Sequence, residues 1–326
     1  MTLRSFVVGL ALALVAACAA SAKNVTPQAA AQGGVSPSDC GGCHLREAGE
    51  WASSMHAQAF TDPFFAASYS AETSAFCIRC HAPMLPSRDG DTPEALASRA
   101  PQEAARGVGC NDCHGASGAP LARARTGRAP HDVTVDAGIG THACERCHEF
   151  KQPSARDALQ TTVSEHRASP FGDVACTACH MEGRLDHRYR AGVRNVERMK
   201  ASIDVKITRR GNGTLEAELS TIGVGHAFPT GDLFRRLRLE VDALDTEGRT
   251  ETRTELVLGR RFRFFGGERR DDGDDRVKET RRQTFDAPDG REDHLRYRLY
   301  YERGIAEHNG RFVVGDRTLL REGDVE

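Results

Sequence analysis

The sequence predicts an α+β protein, with a mostly helical, loop-rich first part followed by a small antiparallel β-sandwich. Through residues 40–180 a short motif, Cys-x-x-Cys-His, recurs between segments that favour helices, such as HLREAGEWASSMHAQAF and DTPEALASRAPQEAARG. Turns rich in Gly, Pro and Ser join these segments. After about residue 201 the pattern changes to an alternation of apolar and polar residues, which is typical of strands.

The amino-terminal segment predicts export. An apolar run over residues 6–17 is too short to span a bilayer as a stable anchor, and it is typical of a secretory leader. It ends in Val-Ala-Ala-Cys, which resembles a bacterial lipoprotein processing box with Cys18 as the lipidated first residue; the alternative is ordinary signal cleavage nearby. We therefore expect a signal peptide over 1–17 and a flexible tether over 18–36. Ala19 does not resemble the Asp inner-membrane retention signal, so we expect an outer-membrane lipoprotein of the cell envelope, facing the periplasm or the cell surface.

The repeated motif is the most informative feature of residues 37–199. It occurs five times, whereas composition alone predicts about 0.015 copies. Ten of the eleven cysteines lie in it, as the pairs Cys40 and Cys43, Cys77 and Cys80, Cys110 and Cys113, Cys144 and Cys147, and Cys176 and Cys179. The histidines that follow are His44, His81, His114, His148 and His180.

Cys-x-x-Cys-His is the attachment signature of c-type haem, in which each thiol forms a thioether to the porphyrin and the histidine binds the iron from below. The alternative is a set of zinc knuckles, but zinc sites rarely place a histidine directly after every second cysteine. We therefore expect five covalently bound haem c groups in a cytochrome domain over 37–199. The predicted export agrees, because haem attachment in bacterial c-type cytochromes takes place outside the cytoplasmic membrane.

The charge balance limits the class of partner. The chain has 44 Lys and Arg against 46 Asp and Glu, so it lacks the basic excess that nucleic-acid binding requires. The expected partners are redox proteins, either other cytochromes or quinol-linked membrane complexes, together with the membrane itself through the lipid anchor.

The alternation after residue 200 predicts a β-sandwich domain over 200–326. The segments 203–208 and 215–220 flank the Asn-Gly of RRGNG, which predicts a hairpin. The same period-two pattern continues over 237–244, 254–259, 295–301 and 311–315. The charged stretch 266–280, GGERRDDGDDRVKET, is interpreted as a solvated loop.

Eight histidines remain after the motifs, and five of them would be needed if every iron takes a second imidazole. His56 is the best candidate. On one helix it would lie about 18 Å from His44, whereas two imidazoles on one iron have nitrogens only about 4 Å apart. It should therefore bind the iron of a neighbouring haem.

The other distal candidates follow from their positions. His187 comes soon after the last motif, and His226 lies in the tight loop GVGHAFPTG, from which it could reach a haem and hold the two domains together. A loop histidine that only bonds to backbone is the alternative for His226. His142 and His131 precede the fourth motif and could fill the remaining positions.

At this point a family resemblance is apparent. CGGCH followed by Trp51, Ser54, His56 and Ala57 resembles the opening motif of the nitrifier tetrahaem cytochrome c family, which is related to the haem core of hydroxylamine oxidoreductases. GVGCNDCHG, CTACHM and GHAFPTG are similar to later segments of such multihaem cytochromes. The resemblance implies that His56 is a distal ligand. The chain departs from that family in having five motifs and a β-domain.

Such families contain both carriers and catalysts. The first hypothesis is a lipid-anchored pentahaem cytochrome that passes single electrons along closely packed, mainly bis-His haems, since histidines are in excess. The alternative is a multihaem oxidoreductase acting on a small nitrogen or sulfur oxyanion at one haem with an open distal position. Arg236, Arg238 and Tyr300 are among the residues that could assist such chemistry. No catalytic residue is assigned, and a zinc-bearing structural lipoprotein is the third alternative.

Overall fold

The computed structural model describes residues 37–326 apart from 116–118, 126, 128–129, 232–233, 267, 290–293 and 307–311. The predicted signal peptide, the tether and Cys18 lie outside the described residues. The α+β class predicted from the sequence is confirmed: a helical region from Pro37 to Ala201 precedes a β region that begins at Ile203. No helix in the described part of the chain is both long and apolar enough to cross a membrane.

The helical region consists of short elements with long connections. Its helices are α1 (Pro37–Cys43), α2 (Leu45–Ala52), α3 (Pro63–Ala71), α4 (Ala75–His81), α5 (Pro93–Arg99), α6 (Pro101–Arg106), α7 (Cys110–His114), α8 (Ile139–His148), α9 (Thr162–Arg167), α10 (Cys176–His180), α11 (Glu182–Leu185) and α12 (Val196–Ala201). A 3-10 turn covers Gly192–Arg194. Two small strand pairs lie between them, β1 (Leu121–Ala122) with β2 (Thr134–Val135) and β3 (Glu149–Phe150) with β4 (Gln160–Thr161).

Local signals in the sequence set where several of these helices begin. The Asp62 carboxylate accepts the backbone N–H of Phe64 at 2.8 Å, and Pro63 occupies the first helical position of α3. Thr92 and Pro93 open α5 in the same way. Side-chain caps and an early proline satisfy or remove N–H groups that a helix start leaves without partners.

The β region consists of eight strands in two antiparallel sheets. They are β5 (Ile203–Arg210), β6 (Thr214–Thr221), β7 (Arg235–Leu244), β8 (Thr250–Phe265), β9 (Glu268–Asp274), β10 (Thr280–Asp286), β11 (Leu295–Ala306) and β12 (Phe312–Asp324). One sheet has the order β10-β6-β5, and the other has the order β12-β11-β7-β8-β9. A single cluster of buried residues from both sheets forms the core between them.

The predicted hairpin is present as β5 and β6. Asn212 and Gly213 both have positive φ angles, 67° and 70°, which is the conformation that an Asn-Gly turn supplies at little cost. The turn sets the register in which Val205 faces Leu219 across the pair. The apolar residues of both strands consequently point into the core, where each buried aliphatic side chain contributes about 1.5–3 kcal/mol.

The outer face of the larger sheet differs from a simple polar surface. Glu240, Asp242 and Glu302 are almost fully buried there, at 2%, 2% and 1% exposure. Arginines from neighbouring strands cover these carboxylates and form ion pairs with them, including Arg238 with Glu302 at 2.8 Å and Arg253 with Asp242 at 2.6 Å. A buried carboxylate is tolerated only where such partners replace its hydration.

The charged stretch 266–280 is where the sequence interpretation was wrong. Instead of a solvated loop, its first half forms β9, which pairs with the far end of β8. Arg269 lies in this hairpin, and its backbone pairs with residues 154–156 of the helical region. Its guanidinium also contacts Glu72 and Gln152, at 3.0 and 2.9 Å. Partners in the helical region therefore hold a segment that has no apolar pattern of its own.

Candidate functional site

Each Cys-x-x-Cys-His motif lies on a short helix or at the end of one. Four of them are within or form the helices α4, α7, α8 and α10, and the first ends α1, with its histidine directly following. On a helix, side chains three and four positions apart project from one face. Both cysteines and the histidine of each motif can therefore address one side of a flat macrocycle.

The attachment helices contact one another rather than lying apart. α7 contacts both α1 and α8, and α8 in turn contacts α4 and α10. At two of these contacts cysteines from different motifs are neighbours: the Cys80 thiol raises the pKa of Cys147, and the Cys176 thiol raises that of Cys144. The five motifs consequently form one continuous cluster along the helical region.

Four pairs of histidine rings stand out within this cluster. His44 faces His131 with ring centroids 6.3 Å apart, and His148 faces His56 at 6.3 Å. The other two pairs are His114 with His187 at 6.4 Å and His180 with His226 at 6.2 Å. In every pair, one histidine ends a motif and the other comes from a distant part of the chain.

This spacing fits a haem iron between two imidazoles. Two metal–nitrogen bonds of roughly 2 Å each, extended by the half-rings on either side, give a centroid separation of about 6 Å. Direct ring stacking, as between Phe65 and His81 at 3.9 Å, is much closer. The four pairs are therefore too far apart for close face-to-face stacking and correctly spaced for a shared metal.

Hydrogen bonding favours, in four of the histidines, the ring tautomer that a ligand requires, whereas at His148 the side-chain amide of Gln160 lies 3.1 Å from Nδ1. The Nδ1 atoms of His81, His114, His131 and His226 each lie 2.9–3.1 Å from a backbone carbonyl oxygen, to which an Nδ1–H group can donate. With the proton on Nδ1, the lone pair of Nε2 remains available for iron. The residues present therefore fit covalently attached haem with imidazole ligands.

The protonation of the paired rings agrees with this fit. Burial lowers the pKa of His56 to about 4 and that of His180 to about 4. Burial is also the largest cause of the lowered pKa values of His148, His187 and His226. These imidazoles are neutral at physiological pH, which is the form that binds metals.

His56 lies beside His148 of the fourth motif, and His44 of its own motif pairs with His131. Tyr189 packs edge-on against His56 at 4.5 Å and also contacts His187 at 6.1 Å. This tyrosine therefore separates two of the paired sites. Nothing in its sequence context, HRYRAG, distinguishes it from a surface residue, so the sequence analysis missed it.

His226 is presented by the loop between β6 and β7. The backbone N–H of the next residue, Ala227, donates to Glu165 at 3.0 Å, and Glu165 forms an ion pair with Arg276 at 2.6 Å. Arg276 is 7% exposed and also contacts Asp274 at 2.8 Å. A buried ionic cluster thus holds the loop that brings His226 to His180.

The structure does not bring His142 to any of these pairs, contrary to the sequence expectation. Its Nδ1 lies 3.1 Å from the Asp136 carboxylate, and its side chain is 61% exposed. The same carboxylate accepts the N–H of Gly138, and the imidazole packs where a side chain at Gly138 would otherwise stand. The ring is therefore turned back onto the start of α8.

His166 and His294 take no part in these pairs. His166 contacts the carbonyl of Val174 at 2.8 Å, and His294 is exposed. His308 lies outside the described residues. Within the described ranges no group of three or more His, Cys, Asp or Glu side chains is arranged to hold a metal ion.

Known proteins resemble the chain in two ways. Residues 39–115, which include the first three motifs, match the family model described as cytochrome c554 and c-prime. No curated protein sequence matches. The motifs and this family match together indicate covalently bound haem c and a multihaem cytochrome.

Solved structures extend the likeness to most of the fold. The crystal structure of a penta-heme cytochrome c552 from Thermochromatium tepidum aligns with a TM-score of 0.62 at 20% identity, covering 89% of this chain and 99% of that one. The fold is therefore shared across the helical and β regions. MtrC from Shewanella baltica OS185 aligns with a TM-score of 0.18 at 12% identity, over 56% of this chain and 34% of that one, and a score this low supports no argument.

Proposed function

We propose that the protein is an exported pentahaem c-type cytochrome that transfers single electrons along closely packed, mainly bis-His haems. The observation that carries the proposal is the set of four histidine pairs with centroids 6.2–6.4 Å apart. Each pair combines the proximal histidine of one motif with a histidine supplied from elsewhere. Two imidazoles per iron favour electron transfer, because they leave no position open for a substrate.

Bound haem would supply a reversible one-electron change at iron, and the protein sets its potential through the ligands, burial and hydrogen bonds. The cysteine pairs would attach the macrocycles, and the paired imidazoles would hold the irons. Burial of His56, His148 and His180 keeps these rings neutral and excludes water from their surroundings.

The contacts between attachment helices support an ordered path. In the sequence of contacts, α1 adjoins α7, α7 adjoins α8, and α8 adjoins α10, with α4 also against α8. A haem on each helix would lie next to a haem on the neighbouring helix. The proposed count of five rests on the five motifs, and the shared fold with a penta-heme cytochrome is in keeping with it.

We also propose that the protein is an outer-membrane lipoprotein, anchored through Cys18 and facing the periplasm or the cell surface. The support is the leader sequence and its Val-Ala-Ala-Cys ending. Its partners would be other cytochromes or quinol-linked membrane complexes, since a chain of haems needs a donor and an acceptor of single electrons.

The oxidoreductase alternative receives less support from the structure. Arg236 and Arg238, which could have bound an oxyanion, instead form ion pairs with Glu302 at 2.6 and 2.8 Å on the outer face of the larger sheet. Tyr300 lies beneath Arg317 on that same face, at 4.0 Å. Side chains committed to one another in this way are poor candidates for substrate contacts.

Electron paramagnetic resonance of the haem-loaded protein tests the proposal. We expect low-spin signals from the four paired sites, and the number of haems per chain from a pyridine haemochrome assay should be five. A variant with His56→Ala should convert one low-spin haem to high-spin without detaching any haem, because attachment depends on the cysteines and His148 remains. A high-spin signal in the unmodified protein that binds nitric oxide would favour the oxidoreductase alternative instead.

His142→Ala is the matched control for this experiment. This histidine lies in the same region, but it contacts Asp136 and not a proximal histidine. Its replacement should leave the spin count unchanged. If His56→Ala and His142→Ala gave the same spectrum as the unmodified protein, the assignment of His56 and the paired-site argument would both be wrong.

A further inference from the structure

The paired histidines differ in what their Nδ1 atoms face. A histidine that binds iron through Nε2 carries its proton on Nδ1, and this N–H needs an acceptor when it is buried. Backbone carbonyls provide that acceptor for His114, His131 and His226. The Nδ1 of His148 instead lies 3.1 Å from the side-chain amide of Gln160. The Nδ1 of His187 differs from all four, since it is buried and makes no hydrogen bond to any described residue.

The carboxylate of Glu50 lies near this Nδ1. One carboxylate oxygen of Glu50 accepts the backbone N–H of His187 at 3.0 Å and lies 3.8 Å from Nδ1. Both side chains are largely buried, at 15% and 19% exposure. The other carboxylate oxygen of Glu50 lies 3.7 Å from Arg46, so that Glu50 stands between a guanidinium and the imidazole.

We propose that Glu50 is a positioning residue that accepts the Nδ1–H of His187 when this histidine binds the iron of the haem attached at Cys110 and Cys113. The inference rests on the proposed function. The carboxylate fixes the ring tautomer and makes the ligand more basic. A nearby negative charge also stabilises the more positive, oxidised iron, so Glu50 lowers the potential of this haem.

The helix that carries Glu50 explains its placement. Glu50 lies on α2, which directly follows the first motif, whereas His187 follows the last motif. Arg46 on the same helix donates to the carbonyl of Arg184 at 3.2 Å and so ties α2 to the segment before His187. Two contacts thus hold the Glu50 carboxylate beside His187: its hydrogen bond from the backbone N–H of His187 and its ion pair with Arg46.

Redox titration of the haem-loaded protein tests this role, with optical and paramagnetic detection of each haem. Glu50→Gln keeps the shape of the side chain and removes its charge. The equilibrium constant for reduction of one haem should rise about tenfold, which corresponds to an upward shift of about 59 mV. His187→Met identifies that haem, because the same component of the titration should change its spectrum. Glu50→Asp should restore most of the original potential.

Glu197→Gln is the control for the loss of one carboxylate, since Glu197 is exposed and pairs with Lys200 at 3.1 Å. It should leave every potential unchanged. Should Glu50→Gln fail to mature, Arg46→Gln provides the second variant: it keeps Glu50, removes the opposing positive charge and should lower the same potential. If neither Glu50→Gln nor Arg46→Gln moves a potential while haem content and spin count are normal, the proposal for Glu50 is overturned. If the unmodified protein showed no low-spin signals, the proposed function itself would be overturned.

Discussion

The ion pair between Glu165 and Arg276 provides the most direct test of how the β region supports a haem site. Their side chains are 11% and 6% exposed, and the Arg276 Nη2 atom lies 2.6 Å from the Glu165 Oε1 atom. Glu165 also accepts the backbone N–H of Ala227, next to His226. Replacing Glu165 by Gln removes the charge, while Arg276 keeps its ion pair with Asp274 at 2.8 Å.

The expected loss follows from the burial. Breaking a buried ion pair by removing one partner typically costs about 3–5 kcal/mol in the free energy of unfolding. Because Arg276 keeps Asp274, we expect a value of about 3 kcal/mol, near the lower end. For a protein of this size that corresponds to roughly 4–5 °C in Tm. The haem attached at Cys176 and Cys179 should also gain high-spin character, as the loop that presents His226 loosens.

A double-mutant cycle on the haem-loaded protein separates this interaction from other effects. Glu165→Gln, Arg276→Met and the double variant are compared by thermal unfolding, and the coupling free energy should be about 1–3 kcal/mol. The control is Glu197→Gln, which breaks the exposed pair with Lys200 and should change stability by less than about 1 kcal/mol. A coupling indistinguishable from zero, or a Glu165→Gln loss no larger than the control, would refute the reasoning.

Two further predictions concern the same junction. Burial alone would raise the pKa of Asp274, but Arg276 outweighs it and holds the pKa below the ordinary 3.8. The stabilisation by Asp274 is therefore present above about pH 4 and is lost as the pH falls through the pKa of the folded state. Asp274→Asn should flatten the measured dependence of the free energy of unfolding on pH in this range. Arg269→Met should cost about 1.5–3 kcal/mol, since it removes charge-assisted hydrogen bonds to Glu72 and Gln152. Faster limited proteolysis within 266–280 would accompany that loss, and an unchanged cleavage rate and Tm would contradict it.

The sequence predicts the attachment chemistry and the fold class because both depend on local patterns. A motif such as CNDCH places its ligands on one face of a helix regardless of what surrounds it. The alternation in β5 and β6 likewise needs only a two-residue period and an Asn-Gly turn. The sequence also indicated His56, His131, His187 and His226 as candidate distal ligands, because the chain has more histidines than its five motifs use.

The partner of each distal histidine could not be predicted, because pairing depends on how distant segments meet. His142 has the same residue type and a comparable position to His131, yet Asp136 and the open space at Gly138 draw it to the start of α8. Glu50 gives no signal at all in the sequence, since its role depends on a segment more than a hundred positions away. The high charge of residues 266–280 likewise suggested a solvated loop. Pairing with distant residues instead makes the first half of this segment a strand.

On the proposed function, the β region belongs to the redox unit and is more than an appended domain. It brings His226 to His180, the histidine of the motif on α10, which lies in the helical region. It also supplies Arg276, without which Glu165 would be a buried carboxylate lacking its guanidinium partner. Because a buried charge without a partner is costly, the loop carrying His226 and the helix carrying Glu165 stabilise each other only when both regions are folded. The sandwich core thus supports the distal position of one haem from outside the haem-binding region.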